Sequence, residues 1–305
     1  TNLTFLFFLG SVIVQFIYFY VFKVGFMTST LITLSAFPEL NEFYKEYWNK
    51  KPFVVRAGVP SSILNDLITG DELAGLSLED DIRSRIVQTA GWACEYGPFK
   101  ENKFSKLGEK NWSLLVQDVE KNHPKTKKIV KFFKFSPCWL MDDVMVSYST
   151  PGGGVGPHLD SYHVFLVQGT GKRRWKIGSQ MLSNEKYING IDLKVLAEDF
   201  SGNDIEMNFG DVLYVPPYFA HSGVTIEESL TYSIGFLGPS IAELLTDFGQ
   251  FIEEKNVLNK RYDGKNLDYS SAGENMSMNE VENFRGSLKD ILNDQLFELW
   301  LRNYF

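Results

Sequence analysis

Apolar positions along this chain repeat with two periods, and where the period changes the kind of element is expected to change with it. From Phe37 to Asn49 the residues Phe37, Leu40, Phe43, Tyr44, Tyr47 and Trp48 recur at helical spacing, which predicts an amphipathic helix packed on a core. Pro52 to Arg56 predicts a strand, Ser61–Leu67 and Thr69–Leu76 short helices, and Ile82–Thr89 alternates as a strand does. Asn111–Val119 fits helix or strand, and Lys125–Phe135 predicts a helix ahead of a strand over Asp142–Thr150. Strand-like runs punctuated by Gly and Pro then dominate as far as Phe236. After Ser240 the helical period returns, first through Ile241, Leu244, Leu245, Phe248, Phe251 and Ile252. A polar linker around Asp263–Ser277 leads to a second helical stretch, Val281–Tyr304, with Leu288, Ile291, Leu292, Leu296, Leu299 and Trp300 on its apolar side. The pattern is mainly β with flanking helices, consistent with a double-stranded β-helix followed by a helical region.

Leu3–Phe22 stands apart as a nearly unbroken apolar run, long enough to span a bilayer and without the basic flank or small-residue cleavage site of a signal peptide. Two readings stay open. Residues 1–26 are a translated upstream region, with Met27 as the working start, or they are a membrane anchor whose Lys23 favours a cytoplasmic catalytic domain. The expected organisation is therefore 1–26 apolar segment, 27–239 catalytic barrel and 240–305 helical region.

Composition narrows the setting. A net charge of −8 argues against a general nucleic-acid binder and suits a basic protein partner. Two cysteines, Cys94 and Cys138, give neither a disulfide framework nor a zinc spacing, which places the chain in a reducing cytoplasm that also keeps iron ferrous.

The chemistry concentrates behind Pro151-Gly-Gly-Gly-Val-Gly-Pro157, where His158-Leu159-Asp160 follows, and at His221, which ends the run Gly210-Asp-Val-Leu-Tyr-Val-Pro-Pro-Tyr-Phe-Ala. Two histidines and one carboxylate on one face of an octahedral ion, the other face open, form the facial triad of non-haem Fe(II) oxygenases. If the stretch is a strand, His158 and Asp160 share a face with Tyr162, Val164 and Leu166, whereas His163 points the other way and is a poor ligand. His123, in Lys121-Asn-His-Pro124, is expected to be solvated. In a strand over Lys172–Ile177, Arg173 shares the inner face with Trp175 and Ile177, while Lys172, Arg174 and Lys176 face outward. An inward guanidinium needs an anionic partner, and a dicarboxylate cosubstrate held by a bidentate pair supplies one.

The stretches Pro151–Gly178 and Gly210–Pro239, with Gln168-Gly-Thr-Gly171 and Arg173-Arg-Trp175, resemble the JmjC-type 2-oxoglutarate oxygenases. Within them the likeness is to the bacterial ribosomal oxygenases that hydroxylate an arginine of a large-subunit ribosomal protein. The resemblance implies a cupin-type barrel, Fe(II) ligated by His158, Asp160 and His221, and Arg173 on the distal carboxylate of 2-oxoglutarate. It also implies that Ser149 assists that carboxylate. It implies hydroxylation of an unactivated C–H bond coupled to decarboxylation to succinate, and a homodimer formed through the helices after Ser240. That family continues into a winged-helix domain, which is expected to be absent here because the sequence stops at Phe305, as either a truncated fragment or a reduced family member would. Two other readings are another JmjC hydroxylase or demethylase, and a non-catalytic cupin-like binding module.

Overall fold

The computed structural model describes residues 31–258, 260–262 and 276–305. The expectations for residues 1–26, and for most of the 263–277 linker, fall outside these described residues. The chain forms two compact units, one ending at Leu237 and one running from Gly238 to Phe305.

The first unit is built on a ten-stranded sheet. Its strands are β1 (Ile32–Leu34), β2 (Phe53–Val55), β3 (Ser84–Gln88), β4 (Ala93–Tyr96), β5 (Trp112–Val116), β6 (Met141–Ser149), β7 (His163–Met181), β8 (Gly202–Met207), β9 (Val212–Val215) and β10 (Phe219–Phe236). They are ordered β1-β2-β9-β7-β10-β6-β5-β3-β4, with β8 added alongside β7. All pairings among them except β1–β2 are antiparallel.

Two long strands organise the barrel. β7 spans 19 residues and β10 spans 18, and they pair along most of their length. The first half of β7 also pairs β9 and its second half pairs β8, so one strand serves both walls. The change of wall falls near Gly171, whose φ of +63° and close approach to the Glu228 carbonyl leave no room for a Cβ. The β7–β10 register shifts at the same place, between Thr225 and Leu230.

The main core lies on one side of these strands, where the rings of Phe43, Phe53, Phe133, Phe165, Tyr214 and Phe236 pack edge to face or tilted, together with Tyr232, Val144, Val146 and Ile234. On β6 this sends Val144 and Val146 to the core, and residues of the other parity toward the barrel interior. The predicted Phe37–Asn49 helix is shorter: an α-helical turn at Leu40–Glu42 widens into a π-helical turn over Phe43–Tyr47. Thr69 caps the Gly70–Leu76 helix in a capping box with Glu72. Lys125–Phe135 is helical as expected, but as a 3₁₀-helix over Thr126–Phe133. The open choice at Asn111–Val119 resolves as β5.

In the second unit Ser240 and Glu243 form a capping box that starts the Ile241–Lys255 helix. The stretch expected as one helix from Val281 is two, Met278–Leu292 and Gln295–Tyr304, because Asp294 accepts from the Leu296 backbone N–H and caps a new helix. Phe248, Phe297 and Trp300 pack together, and the Trp300 indole N–H donates to Asp247.

Candidate functional site

His158 lies outside the strand expected to carry it, since β7 begins only at His163. The chain from Pro151 to Tyr162 is a loop, and His158 is fixed by an isolated antiparallel bridge to His221. The two residues exchange both backbone hydrogen bonds, each 3.0 Å long. His221 is the third residue of β10, delivered by β9, the turn Pro216-Pro217, and Tyr218 at φ +63°.

This clamp brings one ligand atom each from His158, Asp160 and His221 within 4.8 Å of one another. Asp160 Oδ2 lies 3.4 Å from His221 Nε2, and Oδ1 lies 3.9 Å from His158 Nε2. The Nδ1 atoms of His158 and His221 hydrogen-bond the carbonyls of Gly156 (2.9 Å) and Phe219 (3.0 Å). Those bonds fix both rings with Nε2 turned toward the shared point, the orientation a metal-binding imidazole needs.

Burial and the His221 ring depress His158 to a pKa of about 4, so its lone pair is free at neutral pH. Burial disfavours the Asp160 carboxylate, but the hydrogen bond from His221 and the two imidazoles outweigh it and hold the pKa at about 2. Burial likewise disfavours a charged His221, and the bond to Asp160 overrides it and raises that pKa. A buried N₂O donor set with one fixed negative charge suits a divalent first-row metal such as Fe(II).

The three residues sit on the wall of a cavity of about 310 Å³ that is also lined by Met145, Ser147, Tyr162, Val164, Leu166, Arg173, Trp175 and Ser233. Tyr162 hydrogen-bonds Asp160. Arg173 enters from the inner face of β7 as its parity predicted, only 4 % exposed, with its guanidinium over the Trp175 ring. It makes long contacts to Ser147 Oγ (3.4 Å) and Thr231 Oγ1 (3.3 Å), its Nε has no hydrogen-bond partner, and no carboxylate pairs with it among the described residues. Burial lowers its pKa to about 10, which still leaves it charged. Gly223 makes room for it: a Cβ there would stand 2.9 Å from Arg173 Nε. Arg174 faces outward and pairs with Glu206.

Ser149, expected beside the cosubstrate, is fully buried and donates to Ser113 Oγ at 2.7 Å. Ser147, two residues earlier on the same face of β6, is the serine next to Arg173. His163 is buried away from the cavity, bonded to Tyr214 Oη at 2.8 Å and stacked on Trp48 at 3.5 Å. His123, expected to be solvated, is half-buried against Thr126 Oγ1.

One residue escaped the sequence reading. Asp143 shares the parity of Met145 and Ser147 on β6 and is 8 % exposed; it faces Tyr162 near Gly235. The Asp118 backbone hydrogen-bonds this carboxylate, yet Oδ2 has no partner. Burial, and then the neighbouring Asp142, push its pKa up to about 6. Its signal in the sequence was an acidic residue at the inward parity of a strand already assigned to the core.

Comparison with known proteins agrees with this geometry. The JmjC domain family matches residues 128–244. The ribosomal protein uL16 3-hydroxylase of Escherichia coli K12 is 36 % identical over 266 residues, 86 % of this chain and 70 % of that protein. A probable ribosomal oxygenase of Haemophilus influenzae is 37 % identical over 68 % of this chain and 51 % of its own length. Among solved structures, that of the Escherichia coli ribosomal oxygenase YcfD in complex with cobalt and 2-oxoglutarate superposes with a TM-score of 0.75 at 35 % identity. The superposition covers 87 % of this chain and 70 % of that one.

Proposed function

We propose that this chain, which belongs to the JmjC-domain ribosomal oxygenases, is an Fe(II)- and 2-oxoglutarate-dependent hydroxylase acting on an arginine of a large-subunit ribosomal protein of the uL16 type. The observation that carries the reading is Arg173, a buried cation with no anionic partner among the described residues, in the same cavity as three converged metal-ligand atoms. A 2-oxo diacid meets both demands, chelating the metal at one end and pairing with Arg173 at the other. A binding module of the same fold would need neither feature.

His158, Asp160 and His221 would hold the iron, with Arg173, Ser147 and Thr231 receiving the distal carboxylate and Ser149 supporting them through Ser113. The iron with 2-oxoglutarate and dioxygen supplies the oxidant. The chain's own groups supply orientation and dryness. Trp175, Val164 and Leu166 exclude water from the cavity, and Tyr162 steadies Asp160.

The choice of a cationic substrate is supported by Asp143, a buried carboxylate at the same parity of β6 as the cavity-lining Met145 and Ser147, with no hydrogen-bond partner for Oδ2. A guanidinium entering from solvent would satisfy it with a charge-assisted bond. Such a substrate places the work where ribosomes are made, in the cytoplasm. Among the described residues no helix is long and apolar enough to cross a membrane, and Cys94 and Cys138 are both free thiols. We assign a homodimer contact to the helices of the second unit, which leave Ile241, Leu245, Leu288 and Leu299 more than half exposed.

The test is mass spectrometry of ribosomal protein uL16 incubated with the protein, Fe(II) and 2-oxoglutarate. The expected result is a gain of about 16 Da, one oxygen atom, on an arginine. A gain on a histidine or asparagine, or loss of methyl groups from lysine, would instead favour another JmjC activity.

A further inference from the structure

The net charge of the whole chain conceals a local inversion. Between Lys121 and Met141 there are six lysines (121, 125, 127, 128, 131 and 134) and not one acidic residue, in a protein whose net charge is −8. The 3₁₀-helix Thr126–Phe133 orders the central part of this stretch. Residues three apart eclipse one another in a 3₁₀-helix, at about 6 Å per turn. Lys125, Lys128, Lys131 and Lys134, which begin, occupy and end the helix, therefore form one ridge, and all four are exposed.

The ridge is rigidly mounted, because Ile129 and Phe133 on the opposite side are 0 % and 1 % exposed in the main core. It is also only partly neutralised. Asp66 holds Lys125 at 3.2 Å and Lys128 at 2.5 Å, and Asp118 holds Lys121. Lys127, Lys131 and Lys134 make no ion pair among the described residues.

We propose that this lysine ridge is a docking site for the phosphate backbone of RNA, separate from the cavity that would receive the protein substrate, which none of these lysines lines. The inference rests on the reading that the substrate is a ribosomal protein, whose natural neighbour is ribosomal RNA. A basic ribosomal protein would be repelled by the ridge and drawn to Asp143 and the other carboxylates. RNA would be repelled by the rest of the surface and drawn to the ridge. A row of cations on a fixed helix matches a polyanionic strand, which offers a phosphate at every nucleotide. An anionic membrane suits it less well, since the apolar side that would insert is already buried in the core.

The test uses the full chain and a fluorescein-labelled 20-nucleotide RNA, with binding followed by fluorescence anisotropy across a salt series. The double variant K131E/K134E alters only ridge lysines without ion pairs; K106E/K110E changes the same charge elsewhere on the surface. The expected result is a loss of at least about tenfold in affinity for the first variant, and a log–log salt dependence flatter by about 0.7 per lysine. The second variant should bind within about threefold of the parent, the scale of general charge repulsion.

Equal weakening in both variants, or unchanged binding in the first, overturns the proposal. So does ridge-dependent binding to phosphatidylserine vesicles with none to RNA, which would assign the ridge to a membrane surface. Both variants should hydroxylate isolated uL16 at the parental rate. Because anisotropy needs no turnover, a parent that binds RNA through the ridge but hydroxylates nothing would sink the catalytic reading alone. A parent that hydroxylates uL16 but binds RNA equally well without the ridge would sink only this one.

Discussion

Arg173 and Asp143 are two buried charges of opposite sign, neither paired with an opposite charge among the described residues, and each predicts a different defect. Replacing Arg173 with alanine should raise the apparent KM for 2-oxoglutarate by the equivalent of about 2–5 kcal/mol, the cost of truncating one side of a buried charge pair. Metal affinity should hardly change. Arg174→Ala, which disturbs only an exposed pair with Glu206, should be nearly silent in the same steady-state assay, and equal losses would show that the β7 parity does not govern the site. For Asp143 the folded pKa of about 6 lies above that of an unfolded aspartate. The folded state therefore holds this proton more tightly, and the site's contribution to stability falls as pH rises from about 4 to about 6. Asp143→Asn should remove that loss and stabilise the protein at pH 7.5 by on the order of 1–3 kcal/mol in urea unfolding. The same substitution should raise KM for the protein substrate. In the parent, substrate capture should improve as pH rises through about 6. A variant that loses both stability and substrate affinity would show that Asp143 serves the fold. At this scale the sequence revealed much: two histidines, one aspartate and an inward arginine carry distinctive chemistry. Asp143 stayed hidden because an aspartate in a strand looks like a solvated residue until its parity is compared with that of its neighbours.

At the scale of elements, strand parity was legible and boundaries were not. Arg173, Trp175 and Ile177 all face inward as alternation requires, because β7 continues unbroken through them. The same reasoning placed His158 and Asp160 on one strand, whereas a loop and an isolated bridge hold them. The local pattern cannot distinguish a strand from an extended loop pinned by a distant partner. The helix expected from Val281 broke in two because Asp294 offered a cap that apolar periodicity does not register. Gly171 marks the element with the tightest constraint, since a Cβ would meet the Glu228 carbonyl at 1.9 Å where β7 passes from one wall to the other. Gly171→Ala should destabilise the fold by more than the roughly 1–2 kcal/mol of a left-handed conformation alone. The readout is a lower urea midpoint at unchanged slope. Gly249→Ala, in a helix with open space around it, should be neutral or stabilising.

For the whole molecule, the proposed associations draw on how charge and apolar surface are separated along the chain. The second unit exposes leucines and an isoleucine on helices whose buried positions, Phe248 and Trp300, already hold the unit together. Leu245→Glu with Leu288→Glu should therefore leave its helical content intact, convert a dimer to a monomer by sedimentation velocity, and weaken turnover of the protein substrate. A parent that sediments as a monomer would remove the contact. Composition gave the acidic average of the chain. It could not foretell the lysine ridge, because a sum over the chain discards the sign of each neighbourhood.

The backbone clamp between His158 and His221 bears on how the metal is acquired. Since the two residues are tied by two main-chain hydrogen bonds in which no metal-ligand atom takes part, the fold itself fixes much of the coordination geometry, and the cost of ordering it belongs to folding rather than to metal binding. Loading with cobalt or manganese should then behave as ion capture by a finished receptor. Calorimetry should show a small heat-capacity change, with no gain in circular dichroism. The melting temperature should climb with the logarithm of free metal. Removal of the ion by a chelator should return a folded protein that reloads at once, unlike the metal-dependent domains that collapse when stripped.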